Sequence, residues 1–219
     1  MKAIVIGATG ATGKELVRAL LSNPAYSHVI ALVRRPHFSE HPKLVEQIVD
    51  FDDLAHYEPD VVPDVAFSCL GTTLKIAGSK DAQWKIDVDY SLAFARRMKQ
   101  LGTQRFVLLS SMGANAASSF FYARMKGTLE EEIEALGFEH FVVLRPGSLI
   151  RPNSDRTGEK TAVRLLQWLN GMGLLRTYRP LPVRTVARAM AESANTNAQK
   201  KQVLDVNDIA HAAKENPPI

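Results

Sequence analysis

The stretch GATGATGKELV, residues 7 to 17, follows directly on the apolar run AIVI at residues 3–6. Its three glycines, Gly7, Gly10 and Gly13, are evenly spaced, and a lysine follows the last of them. A glycine-rich turn between a buried strand and a helix lets the backbone approach a phosphate closely, and the amides at the helix N-terminus then bind the anion. The stretch therefore predicts a phosphate-binding turn at the start of an α/β domain.

Buried strands alternate with amphipathic helices over residues 1–150. The apolar runs that we interpret as strands are AIVI (3–6), HVIALV (28–33), KLVEQIV (43–49), VAFSCL (65–70), RFVLLS (105–110) and FVVLR (141–145). The predicted helices are TGKELVRALLSN (12–23), the stretch with Trp84, Val88, Leu92, Ala95 and Met98, and the stretch with Met125, Leu129, Ile133 and Leu136. This alternation is typical of a parallel sheet covered on both faces, and it predicts a Rossmann-like, doubly wound α/β fold.

The chain of 219 residues fits one domain, residues 1–219. Its last part carries predicted helices around residues 160–170 and 183–195 and a short apolar run, QVLDV, at 202–206. This part is too small for an independent domain. We expect residues 151–219 to form a lid over the carboxyl ends of the strands, where such folds bind ligands, together with a final strand.

Composition favours a cytoplasmic protein with no membrane or nucleic-acid partner. One cysteine, Cys69, excludes an internal disulfide, and no apolar stretch approaches the ~18 residues of a membrane span. The net charge of +4 is too small to argue for nucleic acid. Cys69 is expected to be a packed small residue, and the pair His37 and His41 lacks a third ligand, so no metal site is predicted. The pattern fits a monomer or a homodimer.

Positive charge is concentrated in residues 141–190, which carry eight Arg and one Lys against Asp155 and Glu159, an excess of +7. This excess fits either an anionic substrate nearby or a solvated basic surface.

The glycine-rich turn does not match the nucleoside-triphosphate loop G-x-x-x-x-G-K-[ST], since Ala8 stands in place of the first glycine and Glu15 in place of the Ser or Thr. A dinucleotide is therefore the favoured ligand, and a tight turn without a ligand is the alternative. The second strand ends in Arg34 and Arg35, whose guanidinium groups suit a 2′-phosphate, so the expected cofactor is NADP(H). Asp50 is placed either to accept a hydrogen bond from the adenine amine or in an exposed turn.

A tyrosine and a lysine, Tyr122 and Lys126, lie four residues apart on the helix FYARMKGTLEEEIEAL. Both fall on its apolar arc, while Glu130, Glu131, Glu132 and Glu134 fall outside it and are expected to be solvated. A lysine that faces the core is costly unless it is paired. A nearby ammonium favours the phenolate form of a tyrosine, which suits proton transfer to or from a substrate oxygen. Ser110 and Ser111, at the end of the fifth strand, could orient a substrate carbonyl or simply end the strand.

The order GATGATG, RR, CLGTT, SSMGA, YxxxK and LRPGSL, over about residues 1–205, resembles the short-chain dehydrogenase/reductase superfamily. Within it, the sequence resembles the atypical, Tat-interacting-protein-like NAD(P)-binding oxidoreductases. The resemblance implies that the pyrophosphate is bound by Gly7, Thr9, Gly10, Ala11, Thr12 and Gly13. It implies that the 2′-phosphate is bound by Arg34 and Arg35. Residues that would line the adenosine ribose are Cys69, Leu70 and Gly71.

The same resemblance implies a catalytic set of Tyr122 as acid/base, Lys126 as its partner and as a contact to the nicotinamide ribose, and Ser111, with Ser110 as the second choice. Residues packing beside the nicotinamide would be Pro146, Gly147 and Leu149. Asp87 stands where many members of the superfamily carry an asparagine that supports a proton relay.

These observations predict an NADP(H)-dependent oxidoreductase that acts on a small carbonyl or alcohol substrate. One alternative is a non-catalytic NADPH-binding regulator of a protein partner. Another is a sugar-nucleotide epimerase-like enzyme. The tail beyond residue 150 is short for a nucleotide-sugar pocket, but its basic residues would suit an anionic substrate: Arg151, Arg156, Arg164, Arg176, Arg179 and Arg184.

Overall fold

The computed structural model describes residues 1–150, 179–195 and 200–213. Within these residues the strands are β1 (Lys2–Ile6), β2 (His28–Val33), β3 (Leu44–Ile48), β4 (Val65–Ser68), β5 (Arg105–Leu109), β6 (His140–Leu144), β7 (Leu149–Ile150), β8 (Leu181–Pro182) and β9 (Lys200–Leu204). The helices are α1 (Ala11–Ser22), α2 (Leu74–Ala77), α3 (Lys80–Trp84), α4 (Tyr90–Gln100), α5 (Phe121–Ala135), α6 (Val183–Ser193) and α7 (Val206–Ala212). A 3-10 helix spans Phe51–His56 and a π-helical turn spans Lys85–Asp89. No helix in these ranges is both long and apolar enough to cross a membrane.

Seven strands form one parallel sheet in the order β3-β2-β1-β4-β5-β6-β9. The order reverses between β1 and β4, as it does in doubly wound folds, so the first turn of α1 and the end of β4 meet at one edge of the sheet. The prediction of a Rossmann-like α/β fold is confirmed. Each of the seven strands in this sheet agrees with its predicted run within two residues at either end, whereas β7 and β8, which pair with each other, were not predicted.

The sheet is buried on both faces, which is why its strands are continuously apolar. Along β1, Ala3 and Val5 join the cluster that contains α1 and α6, while Ile4 and Ile6 join the cluster that contains α4 and α5. Parallel strands covered by helices on both sides require this pattern.

The described part of the chain after residue 150 belongs to the main domain. Helix α6 packs beside α1 on one face of the sheet, and β9 pairs with β6 as the seventh strand. The final strand is therefore present, but α6 covers a sheet face instead of forming a lid over the carboxyl ends. The helix predicted around 160–170 lies outside the described residues.

The helix predicted through Trp84 and Met98 is interrupted. It consists of α3, the π-helical turn Lys85–Asp89 and α4. The wider turn buries Asp87 and Val88 together. Such π-turns occur frequently at functional sites, and this one delivers a carboxylate to the interior.

Candidate functional site

The glycine-rich turn requires glycine at two positions. Gly7 has a φ of +75°, and a Cβ there would lie 2.6 Å from the carbonyl carbon of Cys69. A Cβ at Gly13 would lie 2.1 Å from the carbonyl oxygen of Gly7. The turn thus packs backbone against backbone between β1, α1 and the end of β4.

The start of α1 is open to a ligand. Gly10 is the N-cap residue and supplies no side-chain cap, so the amides of the first turn lack an acceptor from that source. Thr9, Gly10 and Ala11 are exposed, whereas Thr12 is buried. Uncapped amides at this end of a helix attract an anion.

Two arginines follow β2 without counter-ions among the described residues. Arg34 and Arg35 are exposed, and the guanidinium carbon of Arg34 lies 5.9 Å from the ring centroid of Phe51. Asp50, next to Phe51, is exposed and accepts a hydrogen bond from the Asp52 amide at 2.9 Å, so it caps the 3-10 helix. Arg34 and Arg35 thus follow the end of β2, and Asp50 follows the end of the neighbouring strand β3, next to the Phe51 ring that Arg34 faces.

A cavity of about 560 Å³ opens at the carboxyl edge of the sheet. The predicted site residues that line it are Gly10, Ala11, Thr12, Cys69, Leu70, Gly71, Ser110, Ser111, Tyr122, Lys126, Pro146, Gly147 and Leu149. The predicted residues that do not line it are Gly7, Thr9, Gly13, Arg34, Arg35 and Asp50. One wall thus joins the first turn of α1 to the tyrosine and the lysine of α5.

Lys126 is buried and faces a buried acid. Its Nζ lies 3.3 Å from Oδ2 of Asp87, and the side chains are 3% and 0% exposed. Oδ1 of Asp87 accepts a hydrogen bond from the Thr72 amide at 2.7 Å. The contact with Lys126 does not have hydrogen-bond geometry, so Oδ2 has no hydrogen-bond partner among the described residues. Gly71 packs beside the pair, since a Cβ there would lie 3.8 Å from this oxygen and 3.9 Å from Nζ, at ordinary van der Waals distance.

Tyr122 lies one turn before Lys126 on α5 and is 44% exposed. Its hydroxyl forms no hydrogen bond with a described residue. The glycine after the lysine, Gly127, allows α5 to approach the preceding loop, because a Cβ there would lie 2.1 Å from the amide nitrogen of Ala116. This close approach fixes α5 against the segment that follows Ser111.

The two serines have different partners. Ser110 is buried and donates a hydrogen bond to Glu130, which also accepts hydrogen bonds from Arg145, the shortest at 2.6 Å. These hydrogen bonds raise the pKa of the Arg145 guanidinium above its usual range. Ser111 is half-buried, and its hydroxyl makes only a local contact of 3.3 Å to the Met112 carbonyl oxygen.

The expectation that Glu130 is solvated is wrong, since it is 2% exposed. It lies just beyond the apolar arc of α5, and Arg145, directly after β6, reaches it there. The three other glutamates of this helix, Glu131, Glu132 and Glu134, are exposed as expected.

Cys69 is the first residue after β4 and is 8% exposed. Burial raises the pKa of its thiol from 9.0 to about 12. The thiol is therefore protonated at neutral pH, as a packed small residue should be.

On the nicotinamide side of the predicted site, the segments that follow β5 and β6 are joined by a backbone hydrogen bond. The Met112 amide donates to the Pro146 carbonyl oxygen at 2.9 Å, which ties the serine segment to the segment after β6. Gly147 and Leu149 follow in the cavity wall.

Other predicted features are only partly described. In the basic tail, Arg179 and Arg184 lie in the described ranges, while Arg151, Arg156, Arg164 and Arg176 lie outside them. Across residues 1–150, 179–195 and 200–213, no three or more His, Cys, Asp or Glu side chains are grouped to hold a metal ion. Nδ1 of His41 accepts a hydrogen bond from the Lys43 amide at 3.2 Å.

A Rossmann-like sheet, an open glycine-rich turn and a tyrosine–lysine pair at the same edge define a nicotinamide-dinucleotide-binding protein of the short-chain dehydrogenase/reductase type. A family model described as NAD(P)H-binding matches residues 7–197. Protein FMP52, mitochondrial, of Candida albicans is 35% identical over 201 residues, covering 89% of this chain and 88% of that protein. Protein HTATIP2 of Rattus norvegicus is 34% identical over 223 residues, covering 97% and 89%.

The chain therefore belongs to the NAD(P)H-binding family and, within it, to the atypical short-chain dehydrogenase/reductase-like group that contains HTATIP2 and FMP52. Among solved structures, MoeE5 in complex with UDP-glucose and NAD superimposes with a TM-score of 0.69 at 18% identity, covering 98% of this chain and 81% of that one. This likeness shows the fold.

The prediction of a cytoplasmic location is contradicted by these relatives. The fungal proteins, from Candida albicans, Aspergillus fumigatus and Saccharomyces cerevisiae, are named as mitochondrial. A single cysteine fits a reducing compartment, but it does not distinguish the cytoplasm from an organelle.

Proposed function

We propose that this protein is an NADP(H)-dependent oxidoreductase that transfers hydride between the nicotinamide and a small carbonyl or alcohol substrate. The observation that carries the proposal is that Tyr122, Lys126 and Ser111 line the same cavity as the first turn of α1. A proton donor, a cation and a hydroxyl are thereby grouped beside a phosphate-binding turn.

The described residues fit a dinucleotide in three places. The uncapped first turn of α1 suits the pyrophosphate. The ammonium of Lys126, which lines the cavity beside Gly71, suits the hydroxyl groups of a ribose. Pro146 and Gly147 lie in the wall nearest the serines, where a flat ring can pack.

The preference for NADP(H) over NAD(H) rests on Arg34 and Arg35. Both side chains are exposed without ion pairs among the described residues, and no acid ends β2 to accept a ribose 2′-hydroxyl. A 2′-phosphate would neutralise two cations that otherwise repel one another. The Phe51 ring, 5.9 Å from the Arg34 guanidinium carbon, holds this cation near the end of β2.

The dinucleotide, when bound, supplies the hydride that reduces the carbonyl carbon to an alcohol carbon. Tyr122 donates its hydroxyl proton to the carbonyl oxygen as negative charge develops there, and Ser111 donates a hydrogen bond to the same oxygen. Lys126 stabilises the phenolate that remains. Because Tyr122 is 44% exposed, the phenolate recovers its proton from solvent.

Asp87 balances the buried charge of Lys126, which lies one helical turn after Tyr122 on α5. The superfamily's asparagine at this position is neutral, so this chain compensates charge directly within its tyrosine–lysine site. Asp87 also accepts a hydrogen bond from the amide of Thr72, which lines the cavity. One carboxylate therefore positions both the cavity wall and the lysine.

The test follows NADPH oxidation by the purified protein with a panel of aldehydes and ketones. Wild type is expected to consume NADPH with at least one of them, and Tyr122→Phe is expected to lose about 100-fold or more in kcat while binding NADPH as wild type does. Tight NADPH binding without consumption by any carbonyl compound would favour the regulatory alternative instead. Equal rates in wild type and Tyr122→Phe would remove the tyrosine from the mechanism.

A further inference from the structure

The cavity carries apolar side chains that are exposed in the described part of the chain. Seven large apolar or aromatic side chains are exposed in the described part of the chain, and three of them, Leu74, Ile76 and Tyr122, line this cavity. A fourth, Phe120, immediately precedes α5 and is 78% exposed. Exposed apolar side chains are common singly, but a group of them at the mouth of a cavity marks a binding surface.

Helix α2 presents two of these side chains. Leu74 is 47% exposed and Ile76 is 69% exposed, and the helix packs none of its residues in the core. The helix is nevertheless fixed at its start, because the Thr73 hydroxyl accepts a hydrogen bond from the Ile76 amide and the Thr72 amide is held by Asp87. The carboxylate that faces Lys126 therefore also positions the apolar wall.

The polar groups around this wall have partners within the protein. The Gln83 amide donates to the carbonyl oxygen of Thr72 at 3.2 Å. Lys80 lies with its Nζ 5.5 Å from the ring centroid of Phe121, which packs in turn on Trp84 at 6.4 Å. Among the described lining residues, the only charged side chains are thus Lys80, held over an aromatic face, and Lys126, balanced by Asp87.

We infer that the substrate is an apolar aldehyde or ketone whose hydrocarbon body lies along Leu74 and Ile76 while its carbonyl group reaches Tyr122. This inference rests on the proposed function and names the substrate class of the same site. A neutral hydrocarbon body would cover these two exposed side chains. It would need no ion pair with Lys80 or Lys126, which already contact Phe121 and Asp87. A sugar or another heavily hydroxylated substrate would leave the same side chains against polar groups.

A homologous series of straight-chain aldehydes from butanal to octanal tests the inference. Each methylene buried on the wall should raise kcat/KM by about threefold, because burying one CH₂ group lowers the free energy of the transition state by about the amount that corresponds to this ratio. The double variant Leu74→Ser/Ile76→Ser should flatten this slope to about 1.5-fold or less, so that octanal loses far more of its kcat/KM than butanal does. Val62→Ser is the matched control, since Val62 is 45% exposed before β4 and lies outside the cavity lining.

Binding of the corresponding primary alkyl amides to the NADP⁺-loaded protein, measured by calorimetry, separates the two proposals. Amides are not reduced, so a chain-length slope that the double variant abolishes would support the apolar wall even if no aldehyde were turned over and the proposed reaction had failed. A flat series in wild type, in turnover and in amide binding alike, would overturn the inference. So would a slope that survives in the double variant, or a preference for aldehydes that carry a carboxylate at the far end.

A lipid surface is the other apolar occupant that the same side chains could contact. Loss of co-sedimentation with phosphatidylcholine vesicles in Leu74→Ser/Ile76→Ser, together with an unchanged aldehyde slope, would assign the side chains to a membrane and overturn the inference.

Discussion

The ammonium of Lys126 lies 3.3 Å from the carboxylate of Asp87, and both side chains are buried at the carboxyl edge of the sheet. Breaking a buried ion pair from one side leaves an uncompensated charge, which costs about 3 kcal/mol or more. We therefore expect Asp87→Asn and Lys126→Met each to lower the free energy of unfolding by about this amount. The double variant should be less destabilised than the sum of the two, by about 2 kcal/mol, because it buries no charge. Urea denaturation measures all four proteins, and strictly additive losses would contradict the pairing.

Removing the two arginines after β2 should change cofactor preference. In Arg34→Ala/Arg35→Ala, NADPH affinity is expected to fall about 30-fold or more, since charge-assisted hydrogen bonds to the 2′-phosphate are lost. NADH affinity should change by less than about threefold. Calorimetric titration with both dinucleotides measures the difference, and Arg96→Ala, an exposed arginine on α4, is the matched control. Equal losses for the two dinucleotides would refute the assignment of NADP(H).

Substitution of the two serines after β5 should affect different properties, the turnover rate in one case and the stability in the other. Ser111→Ala is expected to lower kcat about 100-fold with unchanged stability, because its hydroxyl has no strong partner in the protein and faces the cavity. Ser110→Ala should instead lower the free energy of unfolding by about 2 kcal/mol, since Glu130 loses a buried donor. Steady-state kinetics and urea denaturation of both variants make the comparison. The reverse pattern would exchange their roles.

The cysteine should be inert in the folded protein. With its pKa raised to about 12 by burial, only about one thiol in ten thousand is ionised at pH 8. Alkylation by iodoacetamide should therefore be at least about 100-fold slower in native protein than in urea, and one cysteine per chain makes the readout unambiguous. The folded state holds the proton more tightly than the unfolded state, so this contribution to stability is complete below pH 9 and falls by about 1.4 kcal/mol per pH unit as the pH rises from 9.0 toward 12. Rapid labelling at pH 8 would show that the loop after β4 opens.

Most of the strands and helices could be predicted from the spacing of apolar residues along the sequence. Strands that are buried on both faces read as continuous apolar runs, and the spacing of apolar residues separated them from the helices. The π-helical turn at Lys85–Asp89 could not be predicted in this way, because spacings of three and four from Trp84 to Met98 also fit an unbroken α-helix. The role of α6 was missed for a related reason: an amphipathic helix shows which face is apolar but not which surface will cover it.

For the candidate site, residue types and order predicted which side chains would share an edge of the sheet, and 13 of the predicted residues line the cavity. The buried ion pairs next to the site could not be predicted from the sequence. Glu130 lies next to the apolar arc on a helical projection, and its burial depends on Arg145 arriving from β6, which is 15 residues away in sequence. The pairing of Asp87 with Lys126 likewise joins two helices that only the packed sheet brings together. An unusual acid at a position normally held by asparagine was the available signal.

Transfer of deuterium from the cofactor to the product tests whether this protein is an NADPH-dependent reductase. The purified protein is incubated with octanal and NADPH that carries two deuterium atoms at C4 of the nicotinamide, and the product is analysed by mass spectrometry, with Tyr122→Phe as the matched control. We predict octanol that carries one deuterium on its C1 carbon, formed by wild type and about 100-fold more slowly by the variant. NADPH that binds but leaves no deuterium in any alcohol product would contradict it.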